Sequence, residues 1–258
     1  MPELFDMKLR AMRRDRAARM SAELFLYERT FTDCLERLAL VQRRFERALL
    51  MGCPDPQWRG RLRDFAESVE VRDPAPLFAA AAGGEAIVED HWEPEAGGYD
   101  LVLALGTLDS VNDLPLALRL IRHSAGADAL FIGALSGGDT LPQLRSAMRA
   151  ADVIAGGASP HVHPRVEAAA LAPLLASAGF IMPVVDVDRV EVTYPSFDRL
   201  VADLRAMGVT NVLTARSTPL SRLGAEAARQ AFAAAGEGGR TRETIEILHF
   251  AAWVPPKG

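Results

Sequence analysis

Apolar segments of strand length alternate with amphipathic stretches from Ala48 onward, and this alternation limits the fold more than any other feature. Apolar runs bounded by turn residues are typical of buried strands, and apolar spacings of three and four are typical of helices. We predict strands at Ala48–Met51, Ser68–Val71, Ala86–Val88, Tyr99–Leu105, Ala129–Leu135, Val184–Val192 and Thr244–Val254. We predict helices at Leu114–His123, Leu141–Ile154, Glu167–Ala178, Phe197–Met207 and Ser221–Ala234. This order favours a parallel, doubly wound α/β sheet with helices on both faces.

The last two predicted strands differ from the earlier ones. Val190, Val192 and Tyr194 alternate with the polar Glu191 and Thr193, and the final segment also alternates at first. Alternation is typical of positions near a sheet edge, and an antiparallel closing hairpin would suit the pair. A mostly parallel sheet with one late antiparallel strand resembles the Rossmann-like layout of class I methyltransferases.

An N-terminal segment precedes the first predicted strand. Apolar residues from residue 8 to about residue 46 follow helical spacing, as in Tyr27, Phe31 and Leu35. We predict one or two helices packed against the core, although a solvated arm that binds a partner is the alternative. The chain accordingly divides into a helical segment, 1–46, and an α/β domain, 47–258.

Charge and cysteine content exclude some classes of function. The formal net charge is -5, whereas nucleic-acid binding usually requires a basic face. Cys34 and Cys53 are too few for a disulfide framework and indicate a reducing compartment. The arginine-rich start superficially resembles a transit peptide, but Glu3, Asp6 and Asp15 argue against one. Since no apolar stretch approaches the roughly 20 residues needed to span a bilayer, we expect a cytoplasmic protein.

Five segments carry a more specific resemblance: "LFDMKLRAMRRDRAAR", "YDLVLALGTLDSVNDLPLALRLI", "ALFIGALSGGDTLPQLRSAM", "ASPHVHP" and "LLASAGFIMPVVDVDRVEVTYPSFDRLVADLRAMG". Together they resemble the complex I assembly factor group of the methyltransferase fold. The mitochondrial member of that group is regarded as an arginine hydroxylase acting on a complex I subunit. The chain is also similar to the malonyl-carrier-protein O-methyltransferases of biotin synthesis. The resemblance extends from Leu4 to about Asn211 and, more weakly, to the last strand.

The resemblance implies a pocket for S-adenosylmethionine at the carboxyl ends of the first strands. It places Asp73 at the ribose hydroxyls, because a carboxylate can accept two hydrogen bonds, and Glu89 or Asp90 at the adenine amino group. An acid that ends a strand also occurs for solubility alone, and that alternative stays open. The expected cofactor-binding residues are Gly52, Cys53, Asp73, Glu89, Asp90, Leu105 and Gly106.

The loop after the first strand departs from the pattern that the resemblance implies, Asp-x-Gly-x-Gly-x-Gly. Leu50 replaces the acid, Gly52 is the one retained glycine, and Pro54 and Pro56 replace two others. Glycine permits close approach of the backbone to a ligand. Proline fixes φ and has no N–H to donate. We therefore expect the affinity for the cofactor to be reduced or lost.

Candidate substrate-binding residues follow the fifth strand. Gly138, Asp139 and Thr140 turn the chain from strand to helix, and they also lie where open α/β sheets bind ligands. Thr140 with Gln143 fits a capping box, which is the purely structural interpretation. In the Ser-Pro-His segment we expect His161, more than His163, to line a substrate cleft; we expect no metal site.

The stretch after the fourth strand is interpreted as structural. Asp109 and Ser110 stand where the resembled group usually has an aromatic residue or histidine. Asn112 or Asp113 is predicted to cap the next helix, with Pro115 in its first turn.

Two hypotheses about function follow. The first is a divergent S-adenosylmethionine-dependent methyltransferase-like protein that acts on a protein substrate in complex I assembly. The second is a non-catalytic protein of the same fold that binds a partner and aids its assembly. No catalytic residue can be assigned, and neither methylation, hydroxylation nor the oligomeric state is decided by the sequence.

Overall fold

Seven strands form one sheet in the computed structural model, which describes residues 3–20, 22–215 and 219–257. The strands are β1 Phe45–Met51, β2 Ala66–Asp73, β3 Glu85–Ala86, β4 Tyr99–Leu105, β5 Ala125–Ser136, β6 Ile181–Tyr194 and β7 Thr241–Trp253. The helices are α1 Met7–Arg19, α2 Phe25–Val41, α3 Gln57–Leu62, α4 Pro76–Ala81, α5 Leu114–Ser124, α6 Pro142–Ala155, α7 Ala168–Ser177, α8 Phe197–Ala206 and α9 Arg222–Ala234. A short 3₁₀ turn spans Leu108–Ser110.

The strand order is β3-β2-β1-β4-β5-β7-β6. The first five of these pair in parallel, and β7 runs antiparallel to both of its neighbours. The predicted fold class, a mostly parallel sheet with one late antiparallel strand, is therefore confirmed. β6 is an edge strand and β7 is its neighbour, so alternation indicated their location correctly. They do not form a tight hairpin, because α8 and α9 lie between them in the chain.

Buried strands were predicted most accurately. β4 has the bounds of the prediction, Tyr99–Leu105, since its apolar residues are buried against helices on both faces. β6 is longer than predicted, because its ladder with β7 continues from Ile181 to Tyr194 through polar positions at the edge. The helices α3 and α4 were not predicted, as six residues are too few for a helical period to show.

Two hydrophobic clusters cover the faces of the sheet. One lies under α2, α3, α6, α8 and α9, and in it Phe31 stacks on Trp58 with ring centroids 4.4 Å apart. The other lies under α5 and α7, where Phe131 contacts both Phe180 and Phe250. The carboxyl ends of β1, β2 and β4 project beyond these clusters at a single edge, the usual ligand-binding edge of an open α/β sheet.

The N-terminal segment contains two helices that join the rest of the fold. α2 contributes Phe31 and Leu38 to the same hydrophobic cluster as the sheet, so this segment is part of the common core. β1 begins at Phe45, two residues before the predicted start of the α/β domain at residue 47. Residues 1, 2, 21, 216–218 and 258 of the two predicted units lie outside the described residues.

None of the described helices is both long and apolar enough to cross a membrane.

Candidate functional site at the carboxyl edge of the sheet

The loop after β1 turns towards β2 and β4. Gly52 has φ +83, and a Cβ at this position would lie 2.2 Å from the carbonyl oxygen of Leu105, so this site requires glycine. The Gly52 amide donates to the carbonyl of Arg72, and the Cys53 amide donates to Oδ2 of Asp73 at 2.8 Å. Pro54 and Pro56 have no amide hydrogen. The amides of Gly52 and Cys53 are thus used within the protein.

Asp73, the predicted ribose-binding residue, is fully buried and has protein partners at both oxygens. Oδ1 accepts from the Ala75 amide at 2.7 Å, and Oδ2 accepts from Cys53. The guanidinium of Arg14, from α1, donates to the same carboxylate at 2.7 and 3.2 Å. Burial lowers the pKa of Arg14, but the surrounding groups, foremost the Asp73 carboxylate, together outweigh burial and raise this pKa above its ordinary value.

Glu89 is paired in the same way. Arg10, one helical turn before Arg14, donates to both oxygens of Glu89 at 2.7 and 2.8 Å. Arg10 also donates to the carbonyl of Thr107 at 2.6 Å, just beyond the end of β4. Both side chains of the pair are buried. The bidentate geometry is the strongest form of an arginine–carboxylate contact.

Asp90, the other acid predicted to bind adenine, forms a hydrogen bond within the protein. Its Oδ2 accepts from the Asp113 amide at 2.9 Å, which fixes the start of α5. Asp113 caps that helix by accepting from the Leu116 amide, as predicted. Asn112 instead binds Phe5, accepting from its amide and donating to its carbonyl.

Leu105 and Gly106 lie beside this edge, as expected from the position of β4. Gly106 has φ +58, and a Cβ there would lie 2.4 Å from the ring of Tyr27. Tyr27 of α2 therefore covers this glycine closely.

These contacts test whether the residues fit S-adenosylmethionine. The carboxylates expected to bind ribose and adenine are each bound by a guanidinium of α1. The pocket beside Arg10 and Arg14 encloses about 320 Å³ and is lined by neither Asp73 nor Glu89. The arrangement does not fit this cofactor, because the groups that would recognise it already have buried partners.

A separate cavity lies between α2 and α8, and we call it the α2–α8 cavity. Together with its mouth it encloses about 700 Å³, and most of its wall is apolar. Its polar lining side chains include Thr30, Asp109, Ser136, Thr140 and Arg165. Gly106, Asp109, Arg165 and Val209 line both this cavity and the smaller pocket beside Arg10 and Arg14.

Asp109 and Arg165 form a buried ion pair at this cavity. Burial raises the pKa of Asp109, but the neighbouring groups, foremost Arg165, together outweigh burial and hold the pKa of this carboxyl below its ordinary value. Nε of Arg165 is buried without a hydrogen-bond partner among the described residues. Asp109 is thus a charged lining residue, although the sequence indicated only a missing aromatic side chain.

His163, rather than His161, lies next to this ion pair. Burial lowers the pKa of His163 to about 4, so the ring is neutral near pH 7. Its Nε2 accepts from the Val212 amide at 2.9 Å, and its ring contacts Phe5 edge-on. His161 lines a neighbouring groove, which His163 and Arg165 also line, and its Nε2 lies 2.7 Å from Oδ1 of Asp152. The greater importance of His161 for substrate binding stays a prediction.

Of the residues after β5, Thr140 lines the α2–α8 cavity. Its hydroxyl donates to the Glu246 carbonyl and accepts from the Glu246 amide, both at 3.1 Å. The side chain of Asp139 is 68% exposed and pairs with Arg189. Gly138 packs against Glu167. The structure brings Thr140 into a cavity but places Gly138 and Asp139 outside its lining.

The predicted capping box at Thr140 and Gln143 is wrong. The amides of Gln143 and Leu144 are capped by the carboxylate of Glu243, at 3.1 and 2.9 Å. Glu243 comes from β7, so no local pattern could reveal it.

Arg10 and Arg14 were not predicted as site residues. Their spacing of four residues places them on one face of α1, and this spacing could have indicated a pair of arginines directed to the same site. Within the described ranges no group of three or more His, Cys, Asp or Glu side chains could hold a metal ion.

Comparison with known proteins gives relatives but no matching family model. The mitochondrial arginine hydroxylase NDUFAF5 of Mus musculus is 31% identical over 271 aligned positions, covering 97% of this chain and 77% of the relative. The Danio rerio protein of the same name is 38% identical over 160 residues, which span half of its length and 61% of this chain. A malonyl-[acyl-carrier protein] O-methyltransferase of Xylella fastidiosa is 32% identical over 161 residues, 60% of this chain and 52% of the relative.

Solved structures share the fold at low sequence identity. A putative methyltransferase of Bacillus halodurans has a TM-score of 0.57 and 9% identity, with 86% of this chain and 98% of that chain covered. The N-methyltransferase NodS of Bradyrhizobium japonicum, solved with S-adenosyl-L-homocysteine, has a TM-score of 0.52 and 14% identity. That match covers 95% of this chain and 98% of NodS. The structures establish the methyltransferase fold, and fold alone does not give an activity.

Proposed function

The chain belongs to the family of the arginine hydroxylase NDUFAF5, and on that premise we propose that it binds a protein partner during respiratory complex I assembly. It is a methyltransferase-fold protein. This proposal corresponds to a non-catalytic assembly protein of the same fold.

The observation that carries the proposal is the contrast between two neighbouring positions at this edge. Arg10 and Arg14 of α1 bind the two acids, Glu89 and Asp73, that the resemblance assigns to the cofactor, whereas the neighbouring α2–α8 cavity remains open. With the cofactor position closed and the α2–α8 cavity open, the protein has space for a group of a partner but none for a methyl donor.

The lining of the α2–α8 cavity defines the kind of partner group that fits. Leu26, Leu204 and Ile245 contribute apolar walls, and the Asp109–Arg165 pair provides a charged end. A side chain with a long apolar stem and a polar end would match this lining. Arginine, the residue in the name of the mitochondrial relatives, is one such side chain.

Filling the cavity tests the proposal. Leu204→Trp, in cells that lack the native chain, should reduce the amount of assembled complex I on native gels and its NADH oxidation. The matched control is Leu40→Trp on α2, because Leu40 is 82% exposed. Wild-type levels of complex I with a folded Leu204→Trp variant would reject the α2–α8 cavity as the partner site.

S-adenosylmethionine-dependent group transfer is the second candidate function. Asp73 and Glu89 stand at the strand ends where the fold uses acids for the cofactor, and NodS, of the same fold, holds S-adenosyl-L-homocysteine. This function requires α1 to withdraw. Calorimetry with S-adenosylmethionine and S-adenosyl-L-homocysteine tests it, and the absence of heat at millimolar ligand would reject it.

We keep the cytoplasmic location as part of the proposal. Cell fractionation with an antibody against the chain tests it, and recovery in an organelle would contradict it.

A further inference from the structure

We infer that α1 permanently occupies the position in which this fold holds its cofactor, so that the protein works without S-adenosylmethionine. The inference concerns the edge formed by β1, β2 and β4 and does not depend on the partner proposed for the α2–α8 cavity.

The two arginines of α1 each bind one of the acids that are expected to recognise the cofactor at that position. Arg14 binds the acid at the end of β2, and Arg10 binds the acid after β3 together with the carbonyl of Thr107 after β4. All four ionised side chains are buried, with exposures of 4% or less. The charges are balanced pairwise, which is the condition under which ions are stable out of water.

The N-terminal end of α1 is anchored to two distant parts of the chain. Phe5 exchanges two hydrogen bonds with the side chain of Asn112 and forms a bridge with Leu213. The Asp6 amide donates to the carbonyl of Val212, and the Asp6 side chain caps the helix at the Leu9 amide. These contacts fix the start of α1 on the N-terminal side of Arg10.

The C-terminal half of α1 is fitted closely to its surroundings. Ala17 is fully buried in a small cluster with Ala75 and Phe78. The guanidinium of Arg14 lies over the Phe78 ring, 5.5 Å from its centre. A Cβ on Gly208 would lie 3.0 Å from the Cα of Arg14, so the backbones approach closely here. Contacts at both ends indicate a built-in element rather than a lid.

Withdrawal of α1 would leave Asp73 and Glu89 as buried carboxylates without their counter-ions. Removing one partner of a buried ion pair costs enough to lower a population roughly 10²- to 10³-fold for each pair. The loop after β1 would not compensate, because Pro54 and Pro56 cannot donate amide hydrogens to a ligand. The cofactor would therefore have to overcome both obstacles.

Ligand binding to the full chain and to two variants tests this inference. Calorimetry with S-adenosyl-L-homocysteine should give no heat for the wild type at ligand concentrations up to about 1 mM. A dissociation constant of about 1 mM corresponds to only weak binding. The same result is expected for Arg10→Met/Arg14→Met, whose midpoint of thermal unfolding should fall by roughly 10 °C or more. Arg16→Gln, at an exposed position of the same helix, is the control and should leave the midpoint unchanged.

Two results would overturn the inference. One is micromolar binding by the wild type, and the other is measurable heat of binding with the folded Arg10→Met/Arg14→Met variant. If that variant does not fold, hydrogen exchange of the wild type decides. The amides of α1 should remain protected and unaffected by 1 mM S-adenosyl-L-homocysteine (a high concentration for a bound cofactor), and ligand-induced release of α1 would contradict the inference. Failure of the partner proposal alone would appear as unchanged complex I levels in the Leu204→Trp variant, without any binding of S-adenosyl-L-homocysteine.

Discussion

Arg14 and Asp73, 59 residues apart in sequence, form an ion pair of 2.7 Å in which both side chains are almost completely buried. The same carboxylate accepts from the amides of Cys53 and Ala75. One acid thus connects α1, the loop after β1 and the start of α4. Asp73, an acid at a position that the fold commonly uses to bind a ligand, here holds three parts of the protein together.

Breaking this pair from the arginine side is expected to destabilise the protein strongly. Arg14→Met should lower the free energy of unfolding by about 3–5 kcal/mol, because it leaves a buried carboxylate without its counter-ion. Urea unfolding followed by circular dichroism measures this change. Arg16→Met, on the exposed face, should change it by less than about 0.5 kcal/mol. A loss below about 1 kcal/mol in Arg14→Met would mean that water reaches Asp73.

Asn112 is expected to hold the N-terminal residues in place. Asn112→Ala removes both hydrogen bonds to Phe5, which should cost about 1–2 kcal/mol. Hydrogen exchange should accelerate in residues 4–9 while the sheet stays protected. Ser110→Ala is a neighbouring control, since its hydroxyl makes only a 3.5 Å contact. Equal exchange in both variants would show that Phe5 is held by its other contacts.

Stability should fall as the pH is lowered from 7 to 5. Burial lowers the pKa of His163 to about 4, whereas an unfolded histidine titrates near 6.5. Between these values the unfolded state binds more protons, so acidification favours unfolding. This histidine should account for a decrease of about 1–2 kcal/mol over that range. His249, whose pKa burial also lowers, should add to the decrease.

Urea unfolding at both pH values tests this. His163→Gln should show a smaller pH dependence than the wild type, even if its stability at pH 7 is lower. The same slope in both proteins would place the titration elsewhere.

Glu243 is expected to stabilise the start of α6 from β7. Glu243→Ala should lower the free energy of unfolding by about 1–2 kcal/mol, as for loss of a helix cap. Glu243→Gln keeps an acceptor oxygen and should lose less. The control Arg242→Ala removes an exposed ion pair, worth about 0–1 kcal/mol. If Glu243→Ala and Arg242→Ala were equally stable, the cap would contribute nothing measurable.

Much of the fold could be predicted because burial leaves a local record in the sequence. The segment from Tyr99 to Leu105 is apolar because both faces of β4 are covered, and its bounds follow directly. Short elements such as α3 leave no such record. The start of α6 misled prediction since its cap, Glu243, is about one hundred residues away.

The sequence by itself determined the order of the longer strands and helices, the family, the acid Asp73 with Glu89 or Asp90 as a second, and the proline-containing loop after β1. These features are local, and each leaves its mark within a few neighbouring residues. Only the tertiary structure decided what those acids bind, because Arg10 and Arg14 reach them across 79 and 59 residues. Desolvated carboxylates require counter-ions, and the fold supplies these from its own first helix.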